Sequence, residues 1–339
     1  MRGVLLTGAT TPYGQALARA LLADPRFGTI LAAGIEPNAP GLPASARLVY
    51  RRVDLTRSRD IQTLLGGPAC DLGIEALVHG AWHRKAGDAG RKVHDLNVAS
   101  TRELFQTAEE HPTLCHIVLR SYADIYRIDT EAPVLIREDH PLRLTAEMPQ
   151  ILRDHLEADV TACMQMSTGR LPITVLRFAE LLAPDSGSQL FDYLSSRVCF
   201  HPLGFDPMLC LLSMADAVRA TVAALDRRTA GIFNIPGKDV LPLSEVIALS
   251  GRRSVPVPEP LLAPLYALRA RALHTDFRYD LNRFRFHQSG VLVGTRAREV
   301  LGYMPEVPID WERIGGEAKV DVGSDQGSRA AVGSFRRNT

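Results

Sequence analysis

The sequence has almost no excess charge of either sign: 39 Lys and Arg stand against 38 Asp and Glu, a net charge of +1. No cationic surplus is available to neutralise a phosphate backbone, so nucleic acid is not expected as a partner. No apolar run approaches the about 18 uninterrupted residues that mark a membrane span, so no transmembrane helix is expected. The five cysteines, Cys70, Cys115, Cys163, Cys199 and Cys210, are odd in number and form no CxxC pair. Reduced thiols are the expectation, not a disulfide framework. HExxH and His/Cys clusters at metal-ligand spacing are missing, so no metal site is expected. The N-terminal MRGVLLTGATTPYG lacks a signal-peptide layout, which argues for the cytoplasm. No internal repeat is found.

At about 150 residues per domain, 339 residues make two domains or one large one. In the first half, short apolar runs alternate with stretches of helical spacing. The runs fall at 3–7, 29–35, 48–50, 76–79, 116–119 and 173–177. Helical stretches at 15–22, 61–65, 97–108 and about 150–166 lie between them. Near-continuous apolar strands alternating with helices predict a doubly wound parallel α/β sheet. Beyond about residue 180, Pro and Gly become frequent. A strand end and helix are expected over 211–225, a strand over 231–235, and helices over 261–273 and 295–301. From 315 the chain is rich in Gly, Ser, Ala and charge, and a disordered tail over 315–339 is the expectation.

Directly after the first strand stands Thr7-Gly8-Ala9-Thr10-Thr11-Pro12-Tyr13-Gly14. A βα turn of this kind brings backbone N–H groups to a dinucleotide pyrophosphate at a helix N-terminus. Gly8 permits the tight turn and Gly14 close packing of helix on strand. Thr11 stands where the usual pattern has its middle glycine, and a side chain there could crowd the pyrophosphate. Pro12 suits a helix start. Glu36, at the end of the second strand, could accept from both ribose hydroxyls and repel a 2′-phosphate, favouring NAD over NADP; the alternative is a solvated loop carboxylate. Asp54 could bind the adenine amino group or cap the following helix.

These segments resemble the extended short-chain dehydrogenase/reductase family of the NAD-dependent epimerase/dehydratase type. The likeness runs from residue 1 to about 312. After the glycine turn, Glu36 and Val53-Asp54-Leu55 come Leu77-Val78-His79-Gly80-Ala81 and Asn97-Val98-Ala99-Ser100-Thr101. Then follow 118–126 with its Ile125-Tyr126 end, Glu138-Asp139-His140-Pro141, Leu176-Arg177 and 212–218. The resemblance implies a Rossmann-like dinucleotide domain over 1–178 and a smaller, interleaved C-terminal substrate domain over 179–314. Gly8, Thr10, Thr11, Tyr13, Gly14, Glu36, Asp54, Leu55, Gly80, Ala81 and Asn97 would then face the cofactor, NAD. It also implies a homodimer through helices 97–108 and 150–166, where Met164 and Met166 add apolar contact; Arg153, Asp154 and Asp159 could instead mark a solvated face and a monomer.

Family members carry Tyr-x-x-x-Lys on the helix after the Pro loop, with a Ser or Thr after the fifth strand. Here that register puts Ile151 at the Tyr position, His155 at the Lys position and Tyr122 at the Ser/Thr position. Isoleucine exchanges no proton, and general acid–base catalysis contributes about 10²- to 10⁴-fold. Two readings stay open. Either catalysis is impaired and the protein binds, senses or regulates, or Tyr122 and His155 form a non-standard acid/base pair in an active oxidoreductase or epimerase. Glu180 replaces an Asn that can contact a sugar-nucleotide diphosphate, and Ala183 replaces a glycine before Pro184. A carboxylate at 180 would repel a pyrophosphate unless it swings out to solvent. Arg84 or Lys85, after Trp82, could pair with cofactor phosphate or be solvated. The basic stretch 261–271 reads as a helix over the substrate cleft or on a membrane surface. The aromatic, basic stretch 278–287 reads as a strand edge or a base-stacking surface.

Overall fold

The structure, a computed structural model, describes residues 2–145, 148–273 and 275–320. Seven strands build its main sheet: β1 (Arg2–Thr7), β2 (Phe27–Gly34), β3 (Leu48–Arg52), β4 (Ile74–His79), β5 (His116–Tyr122), β6 (Ile173–Phe178) and β7 (Gly231–Ile235). They lie in the order β7-β6-β5-β4-β1-β2-β3, all parallel. Helices cover both faces, which is why β1, β4, β5 and β6 are buried almost end to end and read as apolar runs. One core packs α1 (Pro12–Ala23) and α5 (Met214–Arg227) on the sheet. The opposite core uses α2 (Ser58–Leu64), α3 (Ser100–Glu109) and α4 (Gln150–Thr168). The order reverses between β1 and β4, the point at which open α/β sheets place a ligand crevice at the strands' C-terminal ends.

After β6 the chain leaves this sheet. Strands Glu180–Leu181, Met208–Leu212 and Asp239–Pro242 form a small second sheet, and Val198–Pro202 pairs with Arg253–Val257. A third core gathers Phe191, Tyr193, Leu211, Tyr266, Phe277 and Phe286 around them. Two helices of this region differ from expectation. α6 (Glu259–Leu273) packs through Leu262 and Tyr266 into that core, and none of its described residues lines the main cavity. The expected strand edge over 278–287 is instead helix α7 (Tyr279–His287), and it is α7 that lines the cavity, through Leu281, Asn282, Phe284 and Arg285. Phe277, Tyr279 and Phe286 are buried in the third core and Phe284 is exposed, while Leu281 packs on another side, against Ile125 and Leu152. The tail expected from 315 begins inside a helix, Trp311–Val320; residues 321–339 lie outside the described residues. Among the described residues no helix is long and apolar enough to cross a membrane.

One buried ion pair ties these layers together. Arg177 of β6 donates from Nη2 and Nε to Asp159 of α4 at 2.6 and 3.0 Å. Ser121 of β5 donates to the same carboxylate at 2.5 Å. Arg177 Nη1 donates to the Tyr126 hydroxyl at 2.9 Å, which donates to Asn234 of β7 at 2.7 Å. Burial opposes the Arg177 charge, but Asp159 more than compensates and holds its pKa above the ordinary value. Asp159 and Asp154 are both fully buried, so they mark no solvated face. Asp154 accepts from Asn97 and Gln150 and meets His94 Nδ1 at 3.0 Å; of the three charges, only Arg153 is exposed. Met164 is exposed, while Met166 packs partly on the core.

Two predictions follow from these buried charges and bases. Asp159→Ala leaves the Arg177 guanidinium buried and unpaired. It is expected to cost about 3–5 kcal/mol in urea unfolding, and Asp159→Leu with Arg177→Met to recover most of that. Burial pushes the His79 imidazole down to about 3 and, with Arg228 and Arg2 adding repulsion, His116 down to about 4. Both bases take up a proton in the unfolded chain before the folded one. Their stabilisation is therefore full above pH about 6.5 and is lost as pH falls towards 4, at about 1.4 kcal/mol per unit for each histidine. Urea midpoints between pH 7.5 and 5 should fall, and His116→Gln should flatten the slope by one proton.

Candidate active site

The glycine turn is closed by its own hydrogen bonds. Gly8 adopts φ +67°, open to glycine, and a Cβ on Gly14 would stand 2.2 Å from the Gly8 carbonyl oxygen. Thr11 caps α1: its hydroxyl accepts from Gly14 N–H at 3.1 Å and donates to Gly8 O at 2.8 Å. These two bonds fold the Thr11 side chain back into the turn. Pro12 starts the helix without an N–H. On the other side, a Cβ on Gly8 would meet Ala81 Cα at 2.8 Å, so the turn lies directly on Gly80-Ala81.

Beside the turn, Thr10 Oγ1 donates to Glu36 Oε2 at 2.5 Å, and Tyr50 donates to the Glu36 carbonyl at 2.7 Å. Glu36 is therefore tethered to the turn and is no free loop carboxylate. Asp54 accepts from the Thr56 backbone at 3.1 Å and hydroxyl at 2.7 Å. Burial works against its charge, but Thr56 and the nearby Arg57 and Lys92 hold its carboxyl below the usual range. It does not cap α2, whose N-cap is Arg57. Gly8 to Gly14, Glu36, Asp54-Leu55 and Gly80-Ala81 thus gather at adjacent strand ends. Two expected cofactor residues do not join them with their side chains. Tyr13 is buried with its hydroxyl 2.7 Å from Thr221, and burial pushes its phenol up to about 12. Asn97 spends its amide on the protein, accepting from His83 N–H at 2.9 Å and donating to Asp154. Arg84 is tied to the Asp185 carbonyl at 2.7 Å.

A cavity of about 120 Å³ lies between the end of β5, the first turns of α4, the strand Met208–Leu212 and α7. Ile151 and His155, one turn apart on α4, both line it. His155 Nδ1 is 2.9 Å from Asp124 Oδ2, and its Nε2 is enclosed without a partner among the described residues. The imidazole stacks on Tyr122 at 3.8 Å and 5°, and Trp82 meets both rings edge-on at 5.2 and 5.4 Å. Stacking places no hydrogen bond between phenol and imidazole. Burial raises the Tyr122 phenol, against the opposing pull of Arg120. The structure thus brings Tyr122 and His155 together as a stack and ties the imidazole to Asp124. Asp124 went unnoticed in the sequence; its only sign was a carboxylate two residues beyond Tyr122.

Glu180 also differs from expectation. It neither swings out nor stands as a lone charge: Arg285 donates to it at 2.7 Å and Ser188 at 2.5 Å. The local charge is neutralised, which removes the repulsion towards a diphosphate that an isolated carboxylate implied.

No protein-family model matches the sequence. It is 30% identical over 312 residues to the uncharacterized protein Rv0501 of Mycobacterium tuberculosis, spanning 89% of this chain and 80% of that protein. The structure is similar to UDP-glucuronic acid 4-epimerase from Bacillus cereus in complex with NAD, with a TM-score of 0.67 and 18% identity over 94% of this chain and 99% of that one. dTDP-glucose 4,6-dehydratase from Bacillus anthracis, also in complex with NAD, superposes with a TM-score of 0.69 and 14% identity over 95% and 100% of the two chains. The chain belongs to one family with the mycobacterial protein, and it is built on the extended short-chain dehydrogenase/reductase fold of the epimerase and dehydratase type.

Proposed function

We propose that this protein binds NAD at the glycine turn and does not run the phenol–ammonium chemistry of the fold it shares, acting as a binding, sensing or regulatory protein. The observation that carries this reading is the cavity face of α4, lined by Ile151 and His155, the two residues that the family resemblance puts at the Tyr and Lys positions. Ile151 has no proton to exchange, and Tyr122 has a phenol raised by burial. The turn fits a dinucleotide: glycine at 8 and 14 leaves a close approach open, Thr11 is folded out of the way, and the Glu36 carboxylate is held beside the turn for ribose hydroxyls. The NAD in the two solved structures similar to this chain supports the same cofactor. The Glu36 charge disfavours a 2′-phosphate, so NADP is the weaker ligand. NAD bound there would supply a hydride acceptor.

The Asp124–His155 pair favours a second reading, an active oxidoreductase or epimerase on an unknown small molecule. Asp124 holds Nδ1, which leaves Nε2 free to accept a proton as general base.

Thermal unfolding with NAD, NADH and NADP tests the first reading. At about 100 times its Kd a ligand stabilises by about 2.7 kcal/mol, a Tm rise of roughly 2 °C or more for a chain of this size. NAD(H) should give that shift and NADP little, and Glu36→Ala should narrow the difference; a flat response to all three removes the cofactor from the proposal. For the second reading, long-range proton–nitrogen NMR should find His155 with its proton on Nδ1, and Asp124→Asn should disturb that tautomer. A proton on Nε2 rules this imidazole out as the base.

A further inference from the structure

Arg120 projects from β5 into the cavity and is 4% exposed. Its guanidinium lies against the rings of Tyr122, Tyr13 and Phe178 at 4.8, 5.2 and 5.8 Å. Aromatic faces attract a cation, but they offer no acceptor for five N–H donors. Among the described residues no carboxylate pairs with Arg120, and its Nε is enclosed without a partner. Arg177, equally buried on the neighbouring strand, shows the contrast: it has Asp159, the Tyr126 hydroxyl and the Glu138 carbonyl.

Both carboxylates around the cavity are already matched. Glu180 is paired with Arg285 at 2.7 Å and Asp124 with His155 at 2.9 Å, while Arg143 lies over Phe284 at 4.7 Å. Three guanidinium groups therefore face two carboxylates across this lining. A buried cation without a counter-charge is held at a cost, and a planar guanidinium recovers most from a carboxylate or phosphate that it can grip with two donors.

We propose that the cavity takes an anionic small molecule whose carboxylate or phosphate is held by Arg120, with its body against Ile151, Leu152, Leu281 and Phe284. The inference rests on the reading of this cleft as a ligand site and not on which dinucleotide fills the glycine turn. The anion belongs either to a free small acid or to the dinucleotide's own phosphate.

The test is thermal unfolding of the full chain and of Arg120→Met with 3-phenylpropionate, its uncharged amide, inorganic phosphate and NAD. Arg120→Met alone should melt above the parent, because it removes an unpaired buried charge. The acid or phosphate should raise the parent's Tm by roughly 2 °C or more near saturation, the amide should not, and the variant should bind at least tenfold more weakly. Loss of the small-anion shift in the variant, with the NAD shift kept, identifies a free acid or phosphate as the occupant. Loss of the NAD shift alone identifies the dinucleotide phosphate. A small-anion shift without any NAD shift defeats the cofactor reading and leaves this one standing. The proposal is overturned if no anion shifts the parent, if the amide matches the acid, or if the variant responds as the parent does. Should Arg120→Met fail to fold, Arg120→Lys keeps the charge without the planar fork; unchanged affinity in that variant also overturns it.

Discussion

The buried pair of Arg177 and Asp159 sets where everything else at the cavity stands. An ion pair taken out of water returns little net stability, but it is demanding in geometry. Here it locks one side of α4 against β6, and through Ser121 against β5. Asp159 lies one turn beyond His155 on the same helix, so the position of the imidazole over Tyr122 is inherited from that lock. The link through Tyr126 to Asn234 carries the same constraint to the last strand of the sheet. A helix that slid by a residue would lose both the pair and the stack.

On the proposed reading, the cavity within this frame serves different chemistry. A phenol and an ammonium work by trading a proton at one edge of the cleft. The present residues put an apolar side chain at that edge and move the titratable group one turn along, where Asp124 orients it. Glu180 and Arg285 cancel each other, while Arg120 is left with aromatic faces alone. The lining is thus neutral where the fold's resemblance led one to expect conflict with a diphosphate, and positive where nothing in the motif pattern drew the eye.

Much of the fold was legible because parallel strands buried on both faces write themselves as apolar runs; the strand at 231–235 needed nothing else. The glycine turn was legible for a related reason, since Gly8 and Gly14 answer local steric demands. What stayed hidden depends on partners far along the chain. Asp154 and Asp159 looked like solvent-facing charges because the groups that satisfy them, His94 and Arg177, lie 60 and 18 residues away. Arg120 looked like one more basic residue until the rings of Tyr13 and Phe178 closed around it. α7 was misread because a mixed basic and aromatic stretch fits a strand edge as readily as a helix.

The Thr11 cap has a consequence for how the turn meets a ligand. In a loop that relies on its phosphate for shape, the chain must order itself at the moment of binding. Here the hydroxyl itself bridges Gly8 and Gly14. The conformational entropy of the loop is spent in folding, so association finds a preorganised rim and departure leaves it intact. On the proposed NAD reading, such a turn exchanges its occupant without local melting, which suits a protein that reports on a cofactor pool as well as it suits one that consumes it.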